Sequence, residues 1–90
     1  MNMINFIPTK EELELIIYQV LSNKEYTDRQ KIDAFLEINA IMYANLGSDS
    51  KKNEIEDVKR KTRSIYRAIK TIDEAQGNLM LRTQDGATYK

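Results

Sequence analysis

Ala34-Phe35-Leu36-Glu37-Ile38-Asn39-Ala40-Ile41-Met42-Tyr43-Ala44-Asn45-Leu46 decides the fold. At 100° per residue its apolar side chains cover most of a helix circumference, so a helix here is buried on more than one side. Glu37, Asn39 and Asn45 interrupt it well short of the roughly 20 apolar residues that a membrane span needs. Immediately upstream, Thr27-Asp28-Arg29-Gln30 has the letters of a capping box, and Gly47 supplies a permissive stop. These signals predict a helix over about residues 28–46 that is central to whatever surrounds it. Its surplus apolar surface has two uses: contact with both neighbours in a bundle, or contact with another copy of the chain. Asn39 lies inside the apolar stretch, where an unpaired amide would cost about 1–3 kcal/mol, so it must find a partner or face out.

Working toward the amino terminus, Thr9-Lys10-Glu11-Glu12 is a second capping box behind Pro8. Leu13, Ile16, Ile17, Val20 and Leu21 then recur at helical spacing and predict a first helix over about 10–22. The cap and the helix dipole account for Glu11, Glu12 and Glu14, which gain no further convergent ligand for a metal. Tyr18, Tyr26 and Tyr43 are expected as core-edge or staple residues.

Working toward the carboxyl terminus, Ile55, Val58, Thr62, Ile65, Ile69, Ile72 and Gln76 are spaced 3-4-3-4-3-4, a heptad seam. With Asp49 or Ser50 as cap and Gly77 as stop, the seam predicts a third helix over about 51–76, which at 1.5 Å per residue would reach about 38 Å. Residues 78–90 lose the pattern, and Asp85-Gly86 is a turn signal, so an extended arm is expected there. Alternatively this tail pairs with Met3-Ile4-Asn5-Phe6-Ile7. The expectation is a single all-α domain over 1–90, a three-helix antiparallel arrangement with a long third helix and a short extended C-terminal arm.

Composition narrows function mainly by exclusion. The 90 residues contain no His, Cys or Trp, which removes imidazole bases, thiolate nucleophiles and His- or Cys-ligated zinc. No glycine-rich phosphate loop, GxSxG or metal signature occurs, so no catalytic residue, metal ligand or cofactor is assigned and the chain reads as a non-enzyme. The first residues lack a basic n-region and a signal-length apolar run, which makes the expected compartment cytoplasmic with no membrane partner. Richness in Asn, Lys and Ile fits an AT-rich genome, and with it a bacterial or phage protein.

Fourteen Lys and Arg balance fourteen Asp and Glu, but unevenly. Residues 1–50 hold eight acids and four bases, residues 51–90 six acids and ten bases. No acid occurs from 58 to 72, and on a helical wheel Lys59, Arg60, Arg63, Arg67 and Lys70 share an arc of about 100° with Tyr66 at its border. A solvated outer face is the plain explanation of this stripe. As a site, it offers guanidinium forks and an aromatic ring to an acidic protein surface or a phosphate-bearing ligand.

The leading expectation is a small binding or regulatory protein that acts through protein–protein contacts as a homo-oligomer, with Phe35, Ile38, Ile41, Met42, Ile65 and Ile69 at the subunit interface. The first alternative is an anion receptor that sequesters a nucleotide or phosphate ligand on Lys59, Arg60, Arg63, Tyr66, Arg67 and Lys70. The second is a nucleic-acid backbone binder, which fits less well because the basic residues lie midway along a long helix.

Overall fold

A computed structural model describes the backbone of residues 7–47 and 49–87, and the side chains through residue 84. Its order is α1 (Lys10–Ser22), α2 (Asp28–Ala44), α3 (Lys52–Ile72) and α4 (Glu74–Ala87), with no strand among the described residues. Among the described residues the fold is therefore all-α with four helices rather than three. α1, α2 and α3 pack on one another in all three pairings, and α4 lies back along α3.

Both Thr caps form as their letters require. The Thr9 hydroxyl accepts from the Glu12 amide at 3.1 Å while Glu12 Oε1 accepts from the Thr9 amide at 2.9 Å. Thr27 and Gln30 repeat the exchange at 3.1 and 2.8 Å. Each cap satisfies amides that the first turn leaves without intrahelical partners. The end of α1 is tied to α2 by the Lys31 ammonium, which donates to the Leu21 carbonyl at 2.8 Å. A cation there also suits the negative end of the helix dipole. α2 ends before Gly47, on Asn45, whose backbone stays in the right-handed region. At α3 the cap position is Lys51 rather than Asp49 or Ser50, and the Lys51 amide donates to Glu54 Oε1 at 2.9 Å.

Leu13, Ile32, Phe35, Met42, Val58, Ile65, Ala68 and Ile69 form one core. Phe35, Met42, Ile65 and Ile69 are each 0% exposed, so these four of the six side chains expected at a subunit interface are spent inside a single chain. Ile38 and Ile41 are half-buried. α2 is apolar around most of its circumference because it packs on both α1 and α3. The seam positions Val58, Thr62, Ile65 and Ile69 are all buried, with Ile55 and Ile72 half-buried at the ends.

At the edge of this core the polar seam residue of α3 meets the polar residue of α2. The Thr62 hydroxyl, 1% exposed, donates to Asn39 Oδ1 at 2.6 Å, and Asn39 Nδ2 donates to the Tyr66 hydroxyl at 3.5 Å. The amide that the sequence left in need of a partner thus bridges α2 to α3 and fixes their register. No buried side-chain nitrogen or oxygen lacks a partner among the described residues.

The third helix stops at Ile72, short of Gln76, because Asp73 adopts an extended conformation (φ −140°, ψ 98°). Its amide still donates to the Ile69 carbonyl at 2.8 Å, while its carboxylate accepts from the Gln76 amide at 3.1 Å and its carbonyl from the Gly77 amide at 3.0 Å. One residue therefore closes α3 and caps α4. Residues 74–87 are helix rather than an extended arm, and Asp85-Gly86 falls within α4 instead of making a hairpin turn. The proposed pairing with Met3-Ile4-Asn5-Phe6 lies outside the described residues. Gly77, expected as a stop, is buried in α4 directly against the Lys70 backbone.

Candidate functional site: a basic groove between α1 and α3

α4 docks on part of the face that the basic stripe was expected to leave in solvent. Gly77 sits on Lys70, and farther along Gln84 Nε2 donates to the Lys59 carbonyl at 3.3 Å. Arg63 Nη1 donates to Gln84 Oε1 at 3.3 Å. The six stripe residues consequently separate into two surroundings. Lys59, Lys70 and Tyr66 flank α4, Arg60 and Arg67 line a groove toward α1, and Arg63 borders both.

There they meet the first turns of α1 across a groove of about 390 Å³. Its walls are Lys10, Leu13 and Glu14 from α1, and Asp57, Arg60, Lys61, Arg63, Ser64 and Arg67 from α3. Five cationic side chains face two carboxylates. Lys61, its side chain 12% exposed, is already held by Asp57 at 2.7 Å, and Arg60 approaches the same carboxylate at 3.8 Å. Lys10 and Arg67 are exposed and make no hydrogen bond or ion pair among the described residues. Leu13 contributes little open surface, being 2% exposed and part of the core, so the apolar floor consists mainly of the aliphatic stems of the arginines and lysines. Positive charge over an apolar floor, with two cations uncommitted, can receive carboxylates or phosphate oxygens.

Lys10, Lys61 and Ser64 were absent from the sequence assignment. Lys61 and Ser64 lie one residue off the stripe, and nothing in the letters tells that the start of α1 crosses the middle of α3. Tyr66, conversely, is not part of this groove. It lines a shallower, uncharged depression of about 400 Å³ with Tyr43, Thr62, Leu79, Met80, Thr83 and Gln84. Its ring is therefore separated from the guanidinium groups that it was expected to accompany.

The Tyr66 phenol is held above its ordinary value, first by burial, which disfavours the phenolate, and then by neighbouring Tyr43; the Asn39 hydrogen bond opposes both. The folded chain keeps this proton where the unfolded chain has released it. The resulting stability is complete below about pH 10 and is lost as pH rises through the raised folded value. Tyr66→Phe should therefore lose less stability than the parent as pH rises above about 10, measured as the shift of the urea midpoint. An equal alkaline loss in both proteins would remove this assignment.

By fold and site, the chain is a small four-helix protein with a basic interhelical groove. No family model matches it, and no curated protein or solved structure is significantly similar to it. No described helix is long and apolar enough to cross a membrane.

Proposed function

We propose that the protein is a non-enzymatic binding protein that acts through protein–protein contact, with the α1–α3 groove as its working surface. The observation that carries this reading is the convergence of Lys10, Arg60, Lys61, Arg63 and Arg67 on one cleft while Lys10 and Arg67 stay uncommitted. An acidic segment with apolar side chains suits it best. Carboxylates would meet the free cations, apolar groups would cover the arginine and lysine stems, and the partner's own polar groups would accommodate Glu14 and Asp57. Binding would act by occupying the partner's surface rather than by bond chemistry.

A second ligand class has a specific observation behind it. Arg60, Arg63 and Arg67 bring three planar guanidinium groups to one concavity, which is the donor geometry that phosphate oxygens take. A phosphate-bearing small ligand would then displace the acidic segment, and the protein would serve as an anion receptor.

Arg67→Glu separates a working groove from a merely solvated face. Its side chain is exposed and unbonded, so the circular dichroism spectrum and urea midpoint should stay unchanged. Calorimetric binding of a polyglutamate peptide and of inorganic pyrophosphate should each weaken at least about tenfold. Equal affinity in parent and variant would exclude the groove as the site. A preference for polyglutamate supports the protein-binding form, and a preference for pyrophosphate the anion receptor. Nucleic acid as the ligand would instead show affinity for duplex DNA that falls steeply with salt.

A further inference from the structure

We infer that the acidic segment received by the α1–α3 groove is the outer face of α1 from a second copy of this chain. This rests on the groove being the working surface and adds the identity of the occupant. α1 packs Leu13, Ile17, Val20 and Leu21 on the core; at 100° per residue the opposite stripe is Glu11, Leu15, Tyr18 and Ser22. Leu15 is 57% exposed and Tyr18, expected at the core edge, is 68% exposed, so two large apolar side chains stand one turn apart in solvent. Glu11 lies one turn before Leu15 on the same stripe and is exposed. It makes no ion pair among the described residues.

Charge supplies the choice of occupant. The chain sums to zero, yet residues 1–50 are acidic by four and residues 51–90 basic by four. The acidic and apolar stripe of α1 is the complement of the groove, whose free cations and apolar floor lack a counterpart within the chain. Stripe and groove share α1 as a common wall. A two-fold axis beside that helix therefore brings both stripe-and-groove pairs together at once, as an isologous dimer requires. In that arrangement Glu11 of each copy meets Arg67 of the other, Leu15 covers the stems of the arginines, and the Tyr18 ring lies against a guanidinium face. This surface replaces the interface expected from α2 and α3, whose apolar residues are mostly consumed by the core.

Sedimentation velocity tests it on the full chain. At micromolar concentration the parent should run as twice its 10.5 kDa mass. The dimer should weaken at least about tenfold between about 0.05 and 0.5 M salt, because exposed charges carry part of it. Glu11→Arg and Arg67→Glu should each run as a monomer, and an equimolar mixture of the two should recover a dimer, since both contacts of the mixed pair again join opposite charges. Leu15→Ser should weaken the parent dimer without restoring anything on mixing. A parent that stays monomeric, or a dimer indifferent to these substitutions, overturns the inference. If that monomer still binds polyglutamate through Arg67, only the identity of the occupant has failed; if it binds neither polyglutamate nor pyrophosphate, the groove itself has failed as a site.

Discussion

Phe35→Ala is expected to destabilise the protein by about 3–5 kcal/mol, the range for removing a buried aromatic ring from a core that cannot collapse around it. Phe35 is 0% exposed and belongs to the apolar cluster that also holds Leu13 of α1, Ile32 of α2 and Val58, Ile65 and Ile69 of α3. Three helices meet there, so no one of them can move to fill the void without withdrawing from another. A domain of this length has a total stability of about 5–13 kcal/mol, and the loss is a large part of it. The thermal midpoint should fall by about 15 °C or more, at roughly 4–8 °C per kcal/mol for a small domain. Half-buried Ile38, on the same helix, offers the control. Ile38→Ala should cost much less, because part of its surface is already in water. A Phe35→Ala loss below about 1 kcal/mol, by urea denaturation, would mean that the three-helix core is not where the stability resides.

That core was legible in the letters because it is specified twice, by periodicity and by caps. Thr9 with Glu12 and Thr27 with Gln30 fix where α1 and α2 begin, and the 3-4 spacing from Val58 to Ile69 gives the buried face of α3. What the spacing does not state is whether an apolar side chain meets its own chain or another. Phe35, Met42, Ile65 and Ile69 were equally compatible with both, and only their placement inside the bundle distinguishes them. The end of α3 was obscured for a different reason. Ile72 and Gln76 continue the seam in phase, so periodicity runs straight through a break that Asp73 imposes locally. Asp73-Glu74-Ala75-Gln76 carries the same cap spacing as the two Thr boxes, and that signal was masked by the heptad and by the stop ordinarily read into Gly77. Missing α4 in turn left the basic stripe looking like one continuous solvated arc. Once α4 covers the Lys59 and Lys70 side, the face that remains open points to α1, where Lys10 and Leu13 complete a groove that no local pattern announces.

Gly77→Ala should detach α4 from α3, at a cost of about 3 kcal/mol, the upper end for an overpacked contact. On propensity alone the substitution is favourable by about 1 kcal/mol, since alanine is the better helix former. The steric effect opposes it and is larger. A Cβ at position 77 would sit 2.6 Å from the Lys70 backbone nitrogen and closer still to its Cα, whereas unstrained heavy-atom contacts begin near 3.5 Å. Because the obstacle is backbone on both sides, no rotamer change relieves it, and the two helices must separate by about 1 Å along the crossing. That separation loosens the Met80 contact with the core and the Gln84 bonds to Arg63 and the Lys59 carbonyl, which together hold the far end of α4. Amide hydrogen exchange should report the change selectively. Protection in residues 78–84 should fall by roughly a hundredfold while α1, α2 and the first half of α3 keep theirs. Arg63 links the α1–α3 groove to α4, while Arg67 makes no bond to α4 among the described residues, so polyglutamate binding through Arg67 should persist in the same variant. Unchanged α4 protection would show that the crossing has slack. Loss of groove binding together with α4 would show that α4 positions Arg63 and is part of the site.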